Sequence, residues 1–86
     1  MTKQELIQAL DDIAVDRKSY SLEDGIAGVI LEKTTNHYGD DKEYDIWNVY
    51  EVDRGRVGEK TFYSENEALM DIYERLKHFQ EYRKKI

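Results

Sequence analysis

Near the end of this chain, Ala68, Leu69, Ile72, Tyr73, Leu76 and Phe79 recur every three or four residues for more than three helical turns. Ser64-Glu65-Asn66-Glu67, just ahead of them, has the serine-then-glutamate spacing of a capping box. Together they predict a helix from 65 to about 83. A helix with one apolar stripe must lay that stripe on another element, and this requirement constrains the rest of the fold. At 86 residues the chain is read as a single domain, 1–86. It has room for one modest core that buries roughly 60–65% of the surface exposed when unfolded.

The covering element reads as a sheet. Tyr44 to Val52 is the strongest strand signal: Tyr44, Ile46, Asn48, Tyr50 and Val52 project to one side, and Asp45, Trp47, Val49 and Glu51 to the other. Asp53-Arg54-Gly55-Arg56 turns the chain and Val57 to Tyr63 returns as a strand. Upstream, residues 26–35 are rich in β-branched side chains, and Asp24-Gly25 ahead of them is a hairpin signal for a pairing with residues 19–23. Asn36 to Glu43 reads as a loop by composition. Thr2-Lys3-Gln4-Glu5 is a further capping box, followed by Leu6, Ile7, Leu10, Ile13 and Ala14 at helical spacing, which predicts a helix over about 3–13. The expected class is α+β: an antiparallel meander of four strands, or three if the first is irregular. N- and C-terminal helices pack on one face, in the order α-β-β-β-β-α. The other face is left to water or a partner.

Composition removes several function classes. With no Cys there is no disulfide, zinc finger, thiol nucleophile or iron–sulfur cluster, and two His add little toward a transition-metal site. His37, Asp40 and Asp41 do not follow the alternating acidic spacing of an EF-hand loop, so no metal is expected. The carboxylate pairs Asp11/Asp12, Asp40/Asp41 and Glu51/Asp53 carry no mark of an acid–base site, and the glycines are too scattered for a phosphate-cradling loop. The chain is therefore read as no enzyme and as having no cofactor. The longest apolar run, Ile26 to Leu31, is far short of the ~20 residues that cross a membrane. Met1 to Glu5 carries an acid and no apolar stretch follows, so an intact cytoplasmic protein is expected.

Charge is uneven. Residues 1–74 carry eight basic and eighteen acidic groups, a balance of −10, and residues 75–86 carry five basic groups and one acid. A body this acidic repels nucleic acid and attracts a basic partner. The order of elements is close to that of the double-stranded-RNA-binding domain. There the last helix begins with lysines that grip phosphate, whereas Glu65 and Glu67 occupy that place here. What remains is aromatic and acidic: Tyr38, Asp40, Asp41, Glu43, Asp45, Trp47, Tyr50, Glu51 and Asp53 form the expected partner-binding set. Tyr and Trp bury much area with few rotors, and carboxylates beside them pair with Lys or Arg of a partner. An alternative reading is a non-catalytic adaptor or structural domain that self-associates through the open sheet face.

Trp47-Asn48-Val49-Tyr50-Glu51-Val52-Asp53-Arg54-Gly55, then Phe62-Tyr63-Ser64-Glu65-Asn66-Glu67-Ala68, resembles a pattern found in small immunity proteins of bacterial polymorphic-toxin and contact-dependent growth inhibition systems. Tyr20-Ser21-Leu22 and Leu31-Glu32-Lys33 look like its upstream strands, so the resemblance covers most of residues 19–76. It implies a cytoplasmic inhibitor, a monomer or weak homodimer when free, that binds the C-terminal domain of one cognate toxin tightly. Such toxins are often nucleases with basic grooves, which an acidic binder suits by standing in for phosphate.

Overall fold

Both capping signals mark helix starts. In the computed structural model, which describes residues 1–23, 28–39 and 41–84, helix α1 spans Lys3–Asp12 and α2 spans Glu65–Lys84. The Thr2 hydroxyl accepts from the Glu5 amide at 3.1 Å and the Glu5 carboxylate accepts from the Thr2 amide at 3.2 Å, a complete reciprocal cap. At Ser64 the matching bond, from the Glu67 amide, is stretched to 3.5 Å. α1 ends in a Schellman motif: the Val15 amide donates to the Leu10 carbonyl and the Ala14 amide to that of Asp11. Ala14 takes the left-handed conformation (φ 61°) that glycine usually fills, and Leu10 and Val15 supply the apolar contact that accompanies the motif. A 3₁₀ turn, Arg17–Ser19, capped by the Asp16 carboxylate, then delivers the chain to the sheet.

The strands are β1 (Tyr20–Ser21), β2 (Gly28–Tyr38), β3 (Lys42–Val52) and β4 (Arg56–Phe62), in the spatial order β1-β2-β3-β4. The architecture is α+β in the order α-β-β-β-β-α. The expectation of an all-antiparallel meander is corrected at its first strand, because Tyr20 and Ser21 pair parallel to Val29 and Ile30 and the sheet is mixed. A hairpin turning at Asp24-Gly25 would also set Tyr20 across from Val29, with the strand sense reversed. That turn lies outside the described residues. The short parallel pair depends on Gly28 (φ 82°), where an added Cβ would sit 2.2 Å from the Ser19 carbonyl oxygen, so only a residue without a side chain lets the two backbones close.

β2 and β3 pair antiparallel without a break from Gly28↔Val52 to Tyr38↔Lys42. The segment read as a loop over 36–43 is therefore mostly strand: Asn36, His37 and Tyr38 pair with Tyr44, Glu43 and Lys42, and Gly39 (φ 73°) opens the turn. Pairing of β3 with β4 carries a bulge opposite Tyr50, where Gly58 (φ 63°) supplies the left-handed residue.

The core lies on one face. Leu6 and Leu10 of α1 and Ala68, Leu69, Ile72 and Leu76 of α2 meet Val29, Leu31 and Val49 of the sheet. Burial then fades along the hairpin. Val29 to Leu31 and Val49 to Tyr50 are buried, whereas Tyr38 and residues 41–44 are exposed. β4 stops opposite Trp47 and β1 stops at Ile30. Residues 34–38 and 42–46 thus project as a two-stranded arm, and the molecule measures 53 × 29 × 17 Å. Its radius of gyration is 14.0 Å, where a compact chain of this length has about 12 Å.

Candidate interaction surface

The arm has two unlike faces, set by the two-residue period of its strands. On the face continuous with the core side, Lys33, Thr35 and His37 stand opposite Trp47, Asp45 and Glu43. Here the acids are answered across the strands. Thr35 Oγ1 donates to Asp45 Oδ1 at 2.7 Å, Lys33 Nζ lies 3.7 Å from Asp45 Oδ2, and His37 Nδ1 lies 3.7 Å from Glu43 Oε1. All of these groups are well exposed, so each pair contributes little to stability. The opposite face is aromatic and carries no acid: Thr34, Asn36 and Tyr38 stand against Ile46, Tyr44 and Lys42. The Tyr38 and Tyr44 rings lie 5.8 Å apart, tilted at 60°, with Lys42 Nζ 5.7 Å from the Tyr38 ring centre. Tyr38 is 57% exposed and Tyr44 42%.

The expected partner-binding set therefore divides. Tyr38, Asp41, Glu43 and Asp45 sit on the arm, and Asp40 lies outside the described residues. Trp47 packs half-buried against the core, with its indole Nε1 enclosed and without a hydrogen-bond partner among the described residues. Tyr50, another member of the expected set, is 7% exposed. The Arg56 guanidinium lies over it, 4.2 Å from the ring centre, held by Glu32 at 2.8 Å and Glu59 at 3.0 Å. These hydrogen bonds, Glu59 first, raise the Arg56 pKa further above its ordinary value. Glu51 is bonded internally: Arg75 Nη1 lies 3.2 Å from Glu51 Oε2, while the same guanidinium donates to Asp71 at 2.7 Å and to the Gly58 carbonyl at 2.7 Å. Arg75 thereby ties the β4 bulge, β3 and α2 together.

Asp53, in the β3–β4 turn, joins Asp16 and Glu51 on the rim of a groove of about 630 Å³ at the foot of the sheet. The walls include Val15, Val29, Val52, Leu76, Phe79 and Tyr82. Tyr44, read from sequence as aromatic strand material, meets Tyr38 because Asn36 pairs with Tyr44 and Tyr38 with Lys42, a pairing that composition does not reveal. One contributor escaped sequence reasoning. Phe79 lies on the apolar stripe of α2 but is 43% exposed.

Among the described residues no three His, Asp or Glu side chains converge as a metal site requires, and no helix is long and apolar enough to cross a membrane. No family model, no curated protein and no solved structure matches this chain.

Proposed function

We propose that this chain is an immunity protein that neutralises the C-terminal domain of a cognate bacterial toxin by stoichiometric binding, and that the β2–β3 arm is its principal contact. The observation that carries this reading is the arm itself. A hairpin that reaches past its own core and holds two tyrosines in the open has its aromatic area placed for a partner. The tyrosine face itself carries Lys42 and no acid; Glu43 and Asp45 lie on the other face of the hairpin and Asp41 beside its turn, so a basic partner fits where it wraps the hairpin edge. A nuclease toxin with a phosphate-binding groove fits that description, and an inhibitor of it works in the cytoplasm. Nothing in this mode of action requires a bond to be made or broken, a cofactor or a nucleic-acid ligand.

Co-expression with the toxin domain encoded beside this gene tests the reading. Cells survive and the two chains co-purify one to one. Replacing Tyr38 and Tyr44 together by Ala weakens the complex by at least about 30-fold, the scale of one hot-spot residue. Charge reversal at Asp41, Glu43 or Asp45 slows association, and more so at about 50 mM salt than at about 500 mM, where screening is short-ranged. A toxin that still kills, or a complex indifferent to the tyrosine pair, rejects the proposal. Sedimentation at micromolar concentration checks the self-association alternative: a stable dimer that shields Trp47 from quencher favours it over toxin binding.

A further inference from the structure

We infer that the groove at the foot of the sheet is a second docking site, and that its occupant is an amphipathic basic segment of a protein partner: one apolar anchor flanked by Lys or Arg. The inference rests on the immunity reading for the partner's identity, but not for the chemistry of the site. Three large side chains stand open there: Val52 at 37% exposure, Phe79 at 43% and Tyr82 at 62%. They come from the end of β3 and from the last turns of α2, and Leu76 lies among them with Val29 and Val15. An apolar surface left open beside a cavity of about 630 Å³ has the size that takes a side-chain anchor.

Charge selects the occupant. The three carboxylates on the rim arrive from separate elements: Asp16 from the cap of the 3₁₀ turn, Glu51 from β3 and Asp53 from the β3–β4 turn. Among the described lining residues there is no Lys or Arg. Glu51 is taken up by Arg75. Asp53 has no hydrogen bond or ion pair from its carboxylate among the described residues, and Asp16 spends one oxygen on the Lys18 amide. An acidic segment meets repulsion at this rim. A cation finds two carboxylates beside the exposed Phe79 and Tyr82 side chains.

The test uses the full chain, labelled for amide NMR, with a peptide about 14 residues long made of leucine and lysine on opposite helical faces as the probe. Its counterpart with glutamate for lysine, and phenethylamine as a small cation, are the controls. The expected result is amide shifts confined to residues 14–16, 51–53 and 76–82 with the lysine peptide alone. They persist in the Tyr38→Ala, Tyr44→Ala chain. They weaken at least about tenfold in Phe79→Ser and, independently, in Asp53→Lys, two exposed positions whose replacement spares the core. Equal binding of the glutamate peptide, shifts centred on residues 38–46, or the same shifts from phenethylamine alone each overturn the inference. A chain that takes the lysine peptide in the groove yet neutralises no toxin keeps the groove and discards the immunity reading. Neutralisation with no peptide in the groove does the reverse.

Discussion

Two stretches of one hairpin have opposite environments. Residues 28–33 and 47–52 lie beneath two helices, whereas residues 34–38 and 42–46 continue the same pairing beyond them. In the first stretch, side chains such as Val49, at 0% exposure, carry the stability of the domain. In the second, cross-strand pairs contribute about 0.2–1 kcal/mol each, and a two-stranded hairpin alone is marginal in water. The arm's strands are continuous with those of the base. Apolar burial therefore resides in the base, and the exposed tyrosines reside where substitution costs the fold little.

The largest test of that contrast is Leu69→Ala, at 0% exposure beneath the sheet. It should cost about 2–5 kcal/mol in urea unfolding, against less than about 1 kcal/mol for Tyr44→Ala on the arm. Comparable losses would mean that the arm is part of the folding core. Next is Gly28→Ala. A Cβ there meets the Ser19 carbonyl oxygen at 2.2 Å and its carbon at 2.7 Å, both backbone atoms, at a φ of 82°. Left-handed strain alone is about 1–2 kcal/mol, and displacement of β1 adds to it, so a loss above about 2 kcal/mol is expected, with amide exchange speeding first at Tyr20 and Ser21.

Arg75→Met sharpens the comparison from the base side. Fully buried pairs lose about 3–5 kcal/mol when one partner goes. Glu51 is about a third exposed, so roughly 2 kcal/mol is expected here by thermal unfolding. Glu51→Gln should cost less than Arg75→Met, because Asp71 and the Gly58 carbonyl still hold the guanidinium.

The smallest effect is a pH dependence. Burial raises the Tyr20 phenol above its ordinary value, so the unfolded chain gives up that proton first. Its contribution to stability is complete below about pH 10 and declines as pH rises through the folded pKa. The Tyr20 hydroxyl is enclosed and finds no hydrogen-bond partner among the described residues. Tyr20→Phe should therefore change neutral-pH stability by less than about 1 kcal/mol while flattening the alkaline decline in melting temperature. An unchanged alkaline limb would place the titrating group elsewhere.

How far the fold was legible depended on range. Thr2 with Glu5, the stripe from Ala68 to Leu76 and the alternation from Tyr44 to Val52 each bring residues together within a few positions, where backbone geometry dictates the contact. The arm was hidden because Asn36-His37-Tyr38 is polar in the manner of a loop, and only pairing with residues 42–44 makes it strand. The candidate site was legible in kind: tyrosines and acids were identified from residue type. Their division was not, since Glu51 meets Arg75 and Tyr50 meets Arg56 across distances in the chain that no local pattern encodes.

Residue order alone thus determined the helices, most strands and the acidic, aromatic character of the surface, because these follow from local periodicity and formal charge. Tertiary structure alone decided the direction of β1, the length of the arm and which carboxylates stay open to a partner. Each of these is an outcome of long-range backbone pairing and of competition for Arg75 and Arg56, and such competition is settled only when the whole chain has packed.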